Sequence, residues 1–285
     1  MSSSPPPMEL REVRGPSALG GGSRRFFDLL RLISVTEFKR VYFGTVLGYL
    51  WSLIRPLALF GVLLVVFTQV FKVGSEKVDH YPVFLLLGIV LFGFFQESTT
   101  NSVTSVVSQE GVVRKTQFPR LVIPLSTVIT GAFNFGLNLI IVVVFILAFG
   151  VEPAWTWLLF PLALVPLFML TAAVSMALSV LYVRFRDVAI IWTVGAQVLF
   201  YATPILYPVN FKEGGDFEHL LMVNPLAVIF EQVRIWVLHE PGAPTVVDAA
   251  GGWLGLLPAL AIFVGACAFA VWIFNREAPR IAEDL

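Results

Sequence analysis

Six apolar runs of twenty residues or more constrain this chain before anything else does: Leu50–Phe71, Pro82–Val106, Val122–Phe149, Thr156–Val183, Val188–Tyr207 and Trp253–Phe274. As an α-helix, a run of about twenty residues crosses a hydrocarbon core of about 30 Å. Helices that share their surface between a core and water alternate apolar and polar faces, and these runs are too continuous for that. The sequence therefore predicts an all-α integral membrane protein with six transmembrane helices. Composition agrees: 57% of the 285 residues are hydrophobic and only 13% charged, against about 25% charged in an ordinary soluble protein.

The remaining segments fall around this frame. Residues 1–23 are rich in Ser, Pro and Gly, without the apolar stretch of a signal peptide, and read as a disordered cytoplasmic tail. From Arg24 to Phe43 the chain is amphipathic: Phe26, Leu29, Leu30 and Ile33 recur at helical spacing while Asp28 and Arg31 lie on the other side. That pattern predicts a helix in the membrane interface. Leu220–Leu238 is apolar but interrupted by Asn224, Pro225, Glu231, Gln232 and Arg234. Lipid would penalise those groups, so one or two short re-entrant or interfacial helices are expected between the fifth and sixth spans. A single membrane domain over residues 24–280 leaves 281–285 as a cytoplasmic end.

Orientation follows from the cations. With the N-terminus inside, Arg11, Arg14, Arg24, Arg25, Arg31, Lys39, Arg40, Arg114, Lys115, Arg120, Arg184, Arg186, Arg276 and Arg280 are all cytoplasmic. Only Lys72, Lys77, Lys212 and Arg234 fall in outside loops, and Arg55 lies near the inner end of the first span. This satisfies the positive-inside rule and places both termini in the cytoplasm.

Polar residues at membrane depth carry the functional signal. In the second span, Glu97, Asn101, Thr104 and Ser108 share one helical stripe, with Val103, Val106 and Val107 largely away from it. Such a stripe either pairs with other helices or lines a hydrophilic path. Asn134 and Asn138 sit one turn apart on the third span, on a face suited to the same interior or to helix pairing. The loop QEGVVRKTQFPR (109–120) mixes three cations and an acid with Val112, Val113 and Phe118, as a helix docking on a cytoplasmic partner would. In YVRFRDV, Asp187 opens the fifth span as a capping acid. At that span's far end FYATPILYP places Pro204 and Pro208 among Phe200, Tyr201 and Tyr207, either a helix exit with an aromatic belt or an outer gate.

Several chemistries find no support. No Walker A pattern occurs, so ATP binding through a P-loop is not expected of this chain; H-E-x-x-H and G-x-S-x-G are also lacking. The zero net charge supplies no basic field for nucleic acid. Cys267 is single, and His80, His219 and His239 are widely separated, so no catalytic, cofactor-binding or metal-ligating residue is assigned. Two classes remain: a transport pathway powered by a separate subunit, favoured by the docking loop and polar stripe, and a membrane-embedded enzyme with a scattered site.

Five ordered segments carry a resemblance: FGTVLGYLWSLIRPL leading into the first span, EGVVRKTQFPRLVIPLS between the second and third, YVRFRDV before the fifth, ATPILYP after it, and VNPLAVIFEQVR before the sixth. Over about residues 24–280 the chain resembles the ABC-2 type permease subunits of bacterial exporters for polysaccharides and polyol phosphates, which include O-antigen, capsule and teichoic acid exporters. The resemblance implies a homodimer of six-helix permeases above two nucleotide-binding subunits. Those subunits would bind ATP and Mg and drive export of a lipid-linked glycan across the cytoplasmic membrane. It further implies an ATPase-coupling element at Glu110, Val113, Arg114, Lys115, Phe118 and Arg120, with the interface helix also resting on the ATPase. The outer gate would comprise Phe200, Tyr201, Pro204, Tyr207, Pro208, Asn224 and Pro225. Channel-lining candidates are then Phe92, Phe95, Glu97, Asn101, Thr104, Asn134 and Asn138, the aromatics offering faces on which sugar rings stack. Phe92, Phe94 and Phe95 stand where family members commonly carry a Trp. An exporter of a drug, lipid or peptide with the same fold is the alternative.

Overall fold

The computed structural model describes residues 23–43, 48–70, 80–111, 119–209, 216–239 and 245–277. Within them every regular element is helical. Helix α1 is Ser23–Phe43; α2 is Gly48–Val65, extended by a π-helical turn Val66–Val70; α3 is Tyr81–Val103, followed after a bend at Thr104 by α4, Ser105–Ser108. Helix α5 is Val122–Ala148, and α6 is Phe160–Arg184 behind a 3-10 turn Trp155–Leu159. Then come α7 Val188–Ala202, α8 Asp216–Leu221, α9 Pro225–Leu238, α10 Val246–Ala249 and α11 Leu257–Glu277, the last behind the 3-10 turn Trp253–Leu256. The expected tail (1–23) lies outside the described residues apart from Ser23, which opens α1, and the C-terminal end (281–285) lies outside them entirely.

Among the described residues five helices are long and apolar enough to cross a membrane: Leu50–Val70, Tyr81–Val103, Val122–Ala148, Trp155–Arg184 and Trp253–Glu277. The expected fifth span is shorter than its apolar run. Its helix stops at Ala202 instead of continuing to Tyr207, because Pro204 has no N–H to donate and disfavours helical geometry at the residue before it. Thr203 is accordingly extended, at φ −99° and ψ 136°. Fifteen helical residues reach only about 22 Å, so α7 needs the irregular segment beyond it to match the depth of its neighbours.

Helix α3 is the hub of the bundle. From Val83 to Phe92 every residue is buried, and α3 packs against α2, α5, α6, α7 and α9. A helix surrounded on all sides is apolar all round, which is why its first two thirds show no polar face. Helix α1 lies along α5, burying Phe26 and Leu30 with Leu29 and Ile33 half-buried, while Asp28 and Arg31 are exposed. This is the division of faces that its sequence predicts. Small side chains let α6 and α11 approach through Ala173, Ala177 and Ala270.

The stretch Leu220–Leu238 forms the end of α8 and all of α9. Asn224 caps α9, its side-chain oxygen accepting from the Leu226 N–H at 3.0 Å, and Pro225 fills the first helical position. At the other end Thr156 Oγ1 and Trp157 Nε1 donate to the Trp236 and Val237 carbonyls at 2.5 and 3.0 Å. These are carbonyls that the helix itself leaves unpaired. By contrast Asp187, expected as a capping acid, holds the position before α7 without a side-chain capping bond. Its own φ and ψ are already helical there, so any benefit to the helix start is electrostatic.

Candidate functional site

Two polar sites lie toward opposite ends of α3. At the end leading to residue 111, eight of the ten polar residues from Gln96 to Ser108 fall into two sets, with Gln96 half-buried and Thr100 exposed beside them. Glu97, Asn101, Thr104 and Ser108 follow one another on the exposed side, while Ser98, Thr99, Ser102 and Ser105 are buried with Val103 and Val106. The buried set serves packing. Thr99 Oγ1 donates to the Phe95 carbonyl at 2.7 Å and accepts from Trp192 Nε1 at 3.1 Å, which docks α7 on α3.

The exposed set is anchored through α5. Asn134 Nδ2 donates to the Glu97 carboxylate at 2.9 Å, and Asn138 Nδ2 donates to the Asn134 carbonyl oxygen at 3.0 Å. Both asparagines are buried, so they orient Glu97 from behind while its side chain stays on the outer surface. Arg55 of α2 attracts the same carboxylate. Gly131 makes the approach of α5 feasible, because a Cβ at that position would collide with Ser98 Oγ. Phe92 and Phe95 belong elsewhere, enclosed in the bundle at 1% and 2% exposure. Phe92 packs on Phe200 (ring centroids 5.3 Å apart) and Phe95 on Trp192 (6.1 Å).

At the other end, the chain leaves α7 and turns inward so that Thr203, Pro204, Ile205 and Leu206 are all buried. Two of their freed carbonyls are satisfied by one side chain. Arg234 of α9, 2% exposed, donates through Nη1 to the Pro204 carbonyl and through Nη2 to that of Ile205 at 3.1 Å, with the Phe84 carbonyl 3.4 Å away. Glu231 lies 3.7 Å from Nη1. Tyr81 Oη donates to the Leu206 carbonyl at 2.8 Å, and Asn224 Nδ2 donates to Thr203 Oγ1 at 2.9 Å. Gly88 makes room: a Cβ there would stand 2.6 Å from Arg234 Nη2 and 3.3 Å from the Ile205 carbonyl.

Of the outer-gate residues, Pro204 and Asn224 thus belong to one network. Tyr207 Oη donates to the Tyr201 carbonyl at 3.1 Å, Pro208 is buried, and Phe200 packs on Tyr201. Tyr201, Tyr207, Asn224 and Pro225 join Phe95 and Trp192 around a cavity of about 670 Å³. Arg234 is the residue that charge counting misplaces. As a cation between the fifth and sixth spans it reads as an outside-loop residue, whereas its place within an apolar stretch and the small Gly88 in the bulky run Val83–Phe95 are the signals that could have located it.

The coupling segment is only partly visible. Glu110 is half-buried, Arg120 is buried at the lead-in to α5, and Val113, Arg114, Lys115 and Phe118 lie outside the described residues. The chain's half-exposed and exposed ionisable groups outside the bundle include Asp248. Its carboxyl is held below the usual range, first by the Thr245 hydroxyl and then by the Thr245 N–H, and the latter bond forms a capping box on α10 with the Asp248 N–H donating to Thr245 Oγ1.

Comparison with known proteins adds a family to this geometry. The model of the ABC-2 type transporter family matches residues 28–238. Two proteins of Klebsiella pneumoniae described as O-antigen export system permease protein RfbA are 35% and 33% identical to the chain over 202 residues, 70% of this chain and 76% of theirs. A Myxococcus xanthus protein of the same description is 29% identical over 221 residues, covering 77% of this chain and 84% of its own.

Proposed function

The chain belongs to the ABC-2 type transporter family, and from that membership we propose that it is the permease subunit of an ATP-driven exporter carrying a lipid-linked polysaccharide across the cytoplasmic membrane. ATP and Mg are held by a separate nucleotide-binding subunit, and this chain catalyses no reaction itself. The observation that carries the polysaccharide reading is the extended similarity to O-antigen export permeases.

In this reading α7 together with residues 203–209 completes a sixth crossing, and both termini are cytoplasmic. The segment Glu110–Arg120 receives motion from the ATPase. Glu97, Asn101 and Thr104 line the polymer's path, with Asn134 and Asn138 holding Glu97 in place. Phe92 and Phe95 stay enclosed in the bundle and stiffen α3 behind the path, and the segment held by Arg234 is the outer gate. A carboxylate exposed on the outside of a membrane helix is costly in lipid. The stripe therefore faces water or a second copy, which supports a homodimer with the path between the copies. Sugar hydroxyls would exchange hydrogen bonds with the stripe much as water does.

Depletion in the native cell tests this function. Lipid-linked glycan should accumulate on the cytoplasmic side while surface glycan declines. Normal surface glycan, with a small hydrophobic compound retained instead, would favour an exporter of drugs or lipids.

A further inference from the structure

Residues of α6, α7 and α11 together frame an apolar groove at the cavity already described. Trp192 and Leu199 of α7, Leu170 and Val174 of α6, and Ile262 and Ala266 of α11 line the 670 Å³ cavity in its outer part.

The opposite ends of the same three helices are cationic. Arg184 ends α6, Arg186 precedes α7, and Arg276 lies in the last turn of α11. Arg184 and Arg276 converge on one carboxylate, Glu277, at 4.0 and 3.5 Å, yet their side chains remain 58% and 55% exposed. Each guanidinium lies over a ring: Arg184 over Phe185, Arg186 over Tyr182 and Arg276 over Trp272, at 5.5, 5.1 and 5.3 Å. Among the described residues at these helix ends Asp187 and Glu277 are the acids, so three cations stand against two anions there. An anion would balance these described groups, at a level where Tyr182 and Trp272 mark the headgroup region.

We propose that this groove binds an anionic phospholipid, its phosphate on Arg184, Arg186 and Arg276 and an acyl chain running to the apolar cavity. The spacing fits one leaflet. Val174 to Arg184 and Ala266 to Arg276 are each ten residues of helix, about 15 Å, which is half of a hydrocarbon core of about 30 Å. Basic pockets between membrane helices suit lipid phosphates because guanidinium forks match phosphate oxygens and the charge pairs at low dielectric. The inference rests on the chain spanning a membrane and is independent of what it exports.

The full-length permease in nanodiscs tests it. With phosphatidylglycerol mixed into phosphatidylcholine, the melting temperature should rise, and native mass spectrometry should retain phosphatidylglycerol over phosphatidylcholine by about tenfold, as expected for two or more cations near a lipid anion. In Arg184→Gln/Arg276→Gln both effects should vanish while stability in pure phosphatidylcholine stays unchanged. Ala266→Trp, which fills the cavity and leaves the arginines, should also weaken retention. Should the glutamine variant fail to fold, the wild-type selectivity and the Ala266→Trp result still decide. Equal retention of both lipids, full replacement of the effect by inorganic phosphate, or selectivity for a polyprenyl phosphate over phosphatidylglycerol would overturn the proposal.

Discussion

The guanidinium carbon of Arg234 lies 3.5 Å from the centroid of the Phe84 ring, so the most deeply buried cation among the described residues is stacked on α3 while its N–H groups hold the chain leaving α7. Three elements are tied by one side chain. Arg234→Met should leave the Pro204 and Ile205 carbonyls buried without donors, at about 1–3 kcal/mol each. Thermal unfolding in detergent should show a clear loss of stability. Arg234→Lys should fall between, since an ammonium keeps the charge without the planar fork or the stack.

Gly88 is the space that this arrangement requires. Gly88→Ala gains helix propensity of about 1 kcal/mol but places a Cβ against Arg234 and Ile205. Net destabilisation is expected, and it should shrink in the Arg234→Met background. A double-mutant cycle reads this coupling directly; additive effects would show that the two residues act independently.

How much of this was legible differs from residue to residue. Continuous apolar runs locate α2, α3, α5, α6 and α11 because lipid imposes a simple length rule, and the two faces of α1 follow from helical spacing. The stripe Glu97, Asn101, Thr104 and Ser108 was also readable, since steps of three and four alone set it. Its separation from the buried Ser98, Thr99, Ser102 and Ser105 depends on which side α5 and α6 cover. The early end of α7 was encoded in Pro204 but hidden by the apolar residues that follow it. Arg234 was not assignable to a clamp, because a cation near a span can equally reach water, and only the fold brings residue 84 to residue 234.

Asp248 provides a pH test outside the bundle. Its pKa is lowered in the folded chain by Thr245, so the bond contributes above the unfolded carboxyl range, near pH 4. That contribution is lost as pH falls through the lower folded value. Hydrogen exchange across residues 245–252, corrected for the intrinsic rate, should show protection decreasing below about pH 4. In Asp248→Asn this step should disappear.

Asn134 supports Glu97 without sharing its exposed surface. Asn134→Leu should impair transport more than it lowers stability, because the apolar replacement fits the buried site but leaves Glu97 unheld. Asn134→Gln or Asn134→Asp would distinguish lost hydrogen bonding from altered charge. A melting temperature that falls in parallel with transport across the series would assign Asn134 to packing alone.

The central claim is best tested by reconstituting the permease with its nucleotide-binding partner in liposomes that carry a labelled lipid-linked polysaccharide. ATP should drive the glycan to the opposite face, where an added lectin binds it, and Glu97→Leu should slow that movement at unchanged complex assembly. Glycan transfer without ATP, or ATP hydrolysis by the intact complex that leaves the glycan in place, would contradict the account.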